Sequence, residues 1–199
     1  MVTLTVKPSK VDPVLQTEWA ILVPHFDGDY QAFFRLLLET GMRTSEALSL
    51  RATDIGAHPD GRTTVKIKRL KKRRPDKEPI LIISEGLAVE LKTLGRKHRA
   101  RLFKFSRVAA WKALKRICKS AGIRELTPHQ FRHTFAREFA KTIQYDTSGR
   151  PLSALDHRLR LAEMLGHSST RWVETYFQPH ASEITEVTGV MSNIFSRWG

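Results

Sequence analysis

The hydrophobic period of this chain changes once, and that change does most to limit its fold. Apolar residues recur at helical spacing from Val14, through DYQAFFRLLLET at 29–40, and again from Glu85 to about residue 121. Between them, residues 54–83 turn β-rich, with TTVKIK and PILII on either side of a basic segment and a DG turn at 60–61. The two periods cannot be exchanged, because each gathers its apolar side chains onto one face of only one kind of element. A single strand-forming island among helices restricts the chain to an α+β class, mostly α, with a small three-stranded antiparallel sheet. No repeat and no linker divides it. Residues 14–180 therefore read as one domain, after a polar lead-in at 1–13 where Pro8 and Pro13 discourage regular structure. Residues 181–199 read as a terminal amphipathic helix, with Ile184, Val187, Met191, Ile194 and Trp198 along one stripe.

Punctuation inside the helical stretches is equally specific. Gly41 closes one helix in the position that favours left-handed backbone, and a short helix follows over Ser45–Leu50. Gly122 closes the helix over 106–121. Thr127 and Pro128 form a cap and first position for a helix running through HQFRHTFAREFAKTI. DTSGRP at 146–151 is a loop, and two further helices lead to Tyr176.

Charge selects the partner. Lys and Arg number 34 against 20 Asp and Glu, a formal net charge of +14. Such an excess suits a polyanion, and double-stranded DNA most of all, because each neutralised phosphate releases counterions. An anionic membrane surface is the weaker option, and no apolar run approaches the ~20 residues of a membrane span. The N-terminus lacks the apolar core of a secretory signal, and the lone cysteine, Cys118, forbids an internal disulfide, so a reducing cytoplasm is expected. Cys118 shares its helical spacing with Trp111, Leu114 and Ile117, which predicts a buried face.

Three segments carry polar groups that packing alone does not require. In TGMRTSEALSL, Arg43 opens a helix where its charge opposes the macrodipole, and Glu46 is placed to hold the guanidinium. In TPHQFRHTFA, His129 and Arg132 are three residues apart and share a face near a helix N-terminus, which attracts anions. The histidine pair of HQFRH has metal-ligand spacing, but Gln130 stands where a zinc protease needs glutamate and Arg132 repels a cation, so no metal site is expected. In LGHSSTRWVETYF, Tyr176 follows His167 by nine residues.

Together these groups fit one chemistry. Two arginines can clamp the oxygens of a phosphodiester and stabilise the added charge of its transition state. A cationic site favours the phenolate of a tyrosine, whose free pKa is about 10, and histidines can donate hydrogen bonds or move protons. The leaving 5′ oxygen needs an acid, for which KIKRLKKRR at 66–74 is the source.

At these three segments the sequence resembles the tyrosine recombinase (phage integrase) family over roughly residues 20–180, with order, spacing and flanking residues all matching. The resemblance implies a catalytic domain in which Arg43, His129, Arg132 and His167 bind and polarise the scissile phosphate. It implies that Tyr176 forms a 3′-phosphotyrosyl link, with no ATP, metal or other cofactor. The family's catalytic lysine lies in a β-hairpin, where Lys71 is the best match and Lys68 and Lys72 are alternatives. Lys66, Lys68, Arg69, Lys72, Arg73 and Arg74 are then a DNA-facing ribbon. Arg43 comes too early for the usual N-terminal clamp domain, so the chain resembles the short fimbrial phase-switch inversion recombinases. The resemblance also implies a homotetramer on synapsed sites, the terminal helix exchanged between protomers, nucleoid association, and room for an accessory DNA-bending protein. A type IB topoisomerase-like nicking and religating enzyme and a non-catalytic DNA-binding relative are the rival readings. Replacing Arg43 or Arg132 by alanine is expected to leave folding intact and remove cleavage.

Overall fold

Asp27 starts the helix around which the rest is built. Its carboxylate accepts the Tyr30 N–H, and helix α2 (Gly28–Thr40) runs to Gly41, whose φ of 60° allows the chain to leave in the left-handed conformation. Phe33, Phe34, Leu36 and Leu37 of α2 are wholly buried. The computed structural model describes residues 12–67, 79–98, 101–146, 148–167 and 169–178. Over these it has α1 (Gln16–Leu22) before α2 and α3 (Thr44–Ser49) after it. A sheet follows, with β1 (Ile55–Ala57), β2 (Thr63–Lys66) and β3 (Ile80–Ile82), and then α4 (Glu85–Lys97), α5 (Arg107–Ser120), α6 (Pro128–Lys141) and α7 (Ala154–Leu165).

The sheet is antiparallel throughout in the order β1-β2-β3, with Ile55 opposite Val65 and Lys66 opposite Ile80. This is the mostly helical fold with a three-stranded antiparallel sheet that the change of period requires. The basic stretch from Lys68 through Arg74, including Arg69, Lys71, Lys72 and Arg73, lies outside the described residues, as do residues 1–11 and the expected terminal helix.

Helix α6 lies against α2, and an aromatic cluster fixes it there. Phe131 meets Phe34 with ring centroids 5.0 Å apart and the edge of Trp19 at 6.2 Å. Phe135 covers Gly41 so closely that a methyl group at Gly41 would run into its ring. At the start of α6, the Gln130 side-chain oxygen accepts the Thr127 N–H at 2.7 Å. Gln130 Nε2 in turn donates to the Asp12 carbonyl at 2.9 Å, and Thr134 Oγ1 accepts the Val14 N–H at 2.7 Å. Arg124 donates to the Pro13 carbonyl at 2.6 Å and to Glu18. The segment entering α1 is thereby tied along the helix that carries His129 and Arg132.

Two expectations are corrected. Trp111 is 40% exposed, whereas Leu114, Ile117 and Cys118 of α5 are buried as expected. Its helical spacing left it at the margin of the buried stripe. Between the 146–151 loop and Tyr176 the described residues form one α-helix, α7, rather than two; the chain then makes two short 3-10 turns, Thr170–Trp172 and Glu174–Tyr176. Asp146 and Arg150 close the intervening loop as a small hairpin, with Tyr145 paired to Pro151.

Candidate active site

Arg43 caps α3 in extended backbone, and its charge at a helix N-terminus is offset by Glu46. One carboxylate oxygen of Glu46 accepts the Arg43 backbone N–H at 2.8 Å, and the other accepts from the guanidinium at 3.0 Å. Glu46 is buried while the Arg43 side chain is 43% exposed, so an anchored carboxylate holds a cation that faces outward. This is the arrangement the sequence predicts.

Arg132 is different, with only 4% of its surface exposed. One terminal nitrogen donates to the Gly41 carbonyl at 2.7 Å; the other donates to the Leu165 carbonyl at 2.6 Å and lies 3.1 Å from His167 Nε2. Both carbonyls lie at helix ends, where no intrahelical donor is available. At the end of α7, the His167 N–H bonds to the Ala162 carbonyl and the Gly166 N–H to the Glu163 carbonyl, with Gly166 at φ 64°. That is a Schellman closure, and it delivers His167 to the guanidinium. Arg132 thus joins the C-termini of α2 and α7. The expectation that its removal leaves folding untouched does not fit this geometry.

Arg43, Arg107, His129 and Arg132 line a cleft of about 470 Å³, with Trp111 and Pro128 among its other walls. Its cationic rim and half-exposed indole are suited to a phosphate and a stacked base. Tyr176 does not line the cleft. It packs against the small core cluster that includes Leu161, Leu165 and Val173, and its hydroxyl lies 2.7 Å from His133 Nδ1. His133 in turn meets the edge of His129, ring centroids 4.4 Å apart. A file of three rings therefore leads from the cleft to the phenol.

The electrostatics correct one expectation. Burial pushes the Tyr176 hydroxyl above the usual phenol pKa of 10.0; the charges of Arg132 and Arg137 pull it down without prevailing. Burial also lowers His133, to about 4, with His129, Arg132, Arg137 and His167 adding to the effect. His129 moves down for the same reasons, burial first and then Arg132 and Arg43. Both imidazoles are neutral at pH 7. Among the described residues no group of three His, Cys, Asp or Glu side chains is placed to hold a metal ion. No helix there is long and apolar enough to cross a membrane.

The structure brings together Arg43, His129 and Arg132 in the cleft, His167 on Arg132, and Tyr176 on His133. Lys66 ends β2 with its side chain exposed; Lys71 and the rest of the basic ribbon lie outside the described residues. Three residues at the site were missed: His133, Arg107 and Trp111. The i,i+4 spacing of His133 from His129, at the basic start of α6, signals the first.

The phage integrase family matches this chain over residues 25–183. The chain belongs to that family. It is 30% identical to the tyrosine recombinase XerC of Roseiflexus sp. (strain RS-1) over 93% of this chain and 61% of that protein. To the tyrosine recombinase XerA of Pyrococcus furiosus it is 28% identical over 80% of this chain and 54% of that one. The chain thus spans somewhat more than half the length of these relatives. Its fold is also that of a crystal structure of XerA recombinase, with a TM-score of 0.66, 21% identity, and coverage of 95% of this chain and 66% of that one. The pre-cleavage complex of XerH bound to its difH substrate gives a TM-score of 0.63 at 20% identity, covering 87% of this integrase-family chain and 52% of that one.

Proposed function

We propose that this chain cuts and rejoins double-stranded DNA at specific sites through a 3′-phosphotyrosyl intermediate. The observation that carries the reading is Arg132, one guanidinium that lines the cleft with Arg43 and His129 and also holds His167. A phosphodiester in that cleft meets two arginines, which neutralise the charge that builds as a fifth oxygen approaches phosphorus. Tyr176 supplies that oxygen, and the 5′ oxygen leaves with a proton from the basic hairpin, for which we assign Lys71. His129 and His167 act as hydrogen-bonding partners of the phosphate oxygens. Lys66, Lys68, Arg69, Lys72, Arg73 and Arg74 track the DNA backbone. The freed 5′ hydroxyl, or that of a second strand, reverses the reaction, so neither nucleotide hydrolysis nor a cofactor is needed. Exchange between two sites calls for a homotetramer with residues 181–199 docked on the neighbour. An accessory bending protein and residence on the nucleoid complete this reading.

The test uses nicked duplexes tiled across the DNA that flanks the gene, so that a cleaved end diffuses away and the covalent state accumulates. The expected result is a denaturant-resistant protein–DNA adduct, formed in chelator and lost in Tyr176→Phe. An absence of adduct on every fragment would sink the enzyme reading and leave a DNA-binding protein. Relaxation of any supercoiled plasmid without site preference would replace recombination by topoisomerase activity.

A further inference from the structure

The basic cleft, the hydroxyl of Tyr176 and the file of rings between them leave one side chain without a role. His133 lies on α6 one residue beyond Arg132, half-buried, and its Nδ1 is 2.7 Å from the Tyr176 hydroxyl. Among the described residues, the group hydrogen-bonded to the hydroxyl of the proposed nucleophile is not an arginine. It is an imidazole, which can hold a proton.

We propose that His133 is a catalytic residue that accepts the Tyr176 proton as the tyrosyl oxygen bonds to phosphorus, and returns it when the phosphotyrosyl link is broken. This inference rests on the strand-transfer reading given above. In the forward step the Tyr176 O–H bond breaks and its proton passes to His133 Nδ1. The O–P bond forms, the P–O5′ bond breaks, and the 5′ oxygen takes a separate proton from the hairpin acid. In the reverse step the 5′ hydroxyl returns its proton to the hairpin lysine as its oxygen displaces the tyrosyl oxygen, which recovers its own proton from His133. One proton is held at each end of the reacting line, and neither is lost to solvent.

Three features of the surroundings support this assignment. Burial keeps Tyr176 from ionising unaided, so a direct acceptor is needed before its oxygen can attack. In the tautomer protonated on Nε2, the neutral imidazole presents its Nδ1 lone pair to the hydroxyl, 2.7 Å away. The groups facing it are His129, Arg132 and Arg137 on α6, His167 beyond α7, and Tyr176 itself. Burial, and after it the cationic field of Arg132 and Arg137, disfavours an imidazolium in the absence of DNA. A bound phosphate cancels part of that field and raises the proton affinity of His133 only when substrate is present. The base is thus held back until there is something to attack. Phe177, next in sequence, keeps the tyrosine in register: it meets the edge of His157 at 5.0 Å and lies under Arg158 at 5.0 Å, while Arg158 pairs with Glu174 at 2.9 Å.

The experiment compares wild type, His133→Asn and Lys71→Ala in single-turnover cleavage of a nicked site that gives the adduct. Each is assayed on the ordinary phosphodiester and on one with sulfur at the 5′ bridging position, whose thiolate leaves without an acid. Asparagine keeps an acceptor near the position of Nδ1 but cannot hold a proton. Cleavage by His133→Asn is expected to fall about 100-fold or more on both substrates and to recover as pH rises and hydroxide takes the proton. Lys71→Ala is expected to recover on the sulfur substrate. Cleavage by His133→Asn within tenfold of wild type would overturn the proposal, because holding the hydroxyl would then suffice. So would rescue of His133→Asn by sulfur, which would make it a leaving-group acid. Nitrogen-15 NMR of labelled histidine in the wild-type protein gives a second readout that no folding defect can mimic. An unprotonated Nδ1 at neutral pH is expected, and a protonated one would refute the assignment. If wild type itself forms no adduct, the strand-transfer reading fails instead.

Discussion

Alanine at Arg43 and at Arg132 should part company in stability, though both should abolish cleavage. Arg132 donates to two carbonyls at helix ends, Gly41 at 2.7 Å and Leu165 at 2.6 Å, from a side chain that is almost wholly buried. Without it each carbonyl loses a charged donor and stays shielded from water, a cost of about 1–3 kcal/mol apiece. The sum, about 4 kcal/mol, is a large share of the ~5–15 kcal/mol that holds most domains folded. For a chain of 199 residues each kcal/mol moves the melting temperature by about 2–4 °C. Arg132→Ala should therefore melt roughly 8–16 °C below wild type in differential scanning calorimetry. Arg43 makes one half-exposed ion pair with Glu46, and such pairs contribute about 0–1 kcal/mol. Arg43→Ala should melt within about 4 °C of wild type while forming no adduct. Equal melting of the two variants would refute the view that Arg132 ties the ends of α2 and α7 together.

Two further predictions concern the supports of the site. Gly41→Ala places a methyl against the Phe135 ring at a residue with φ 60°, a strain of about 1–3 kcal/mol. Because the Gly41 carbonyl holds Arg132, the variant should lose cleavage as well as stability, and a stable, fully active Gly41→Ala would disconnect the two. The second concerns pH. Burial pushes the His133 imidazole down from its ordinary 6.5 to about 4, and His129 shifts the same way. The unfolded chain therefore binds these protons more tightly, so stability is complete above about pH 6.5 and is lost as pH falls toward about 4. The difference in melting temperature between wild type and His133→Asn should shift against wild type across that window. A constant difference would mean that His133 is not held neutral.

Much of this molecule was legible in its sequence because local rules and tertiary demands agree. Gly41, Gly122, Thr127 and Pro128 occupy the cap and stop positions their chemistry favours, and the change of period at residues 54–83 is the sheet itself. The role of Glu46 was legible for the same reason, since it lies one helical turn from Arg43. What spacing could not supply was depth. Arg43 and Arg132 look alike as arginines near helix starts, yet one faces outward and the other bridges helices 91 and 33 residues apart in sequence. The ionisation of Tyr176 was not legible: cations alone predict an easier phenolate, and burial reverses the sign. His133 was hidden by the same gap. Its helical pairing with His129 is local and visible, whereas its contact with Tyr176 spans 43 residues. That long contact decides which reading of the histidine pair survives. A ring whose Nδ1 is engaged by a phenol, in a field set by Arg132 and Arg137, is arranged to handle a proton rather than a cation.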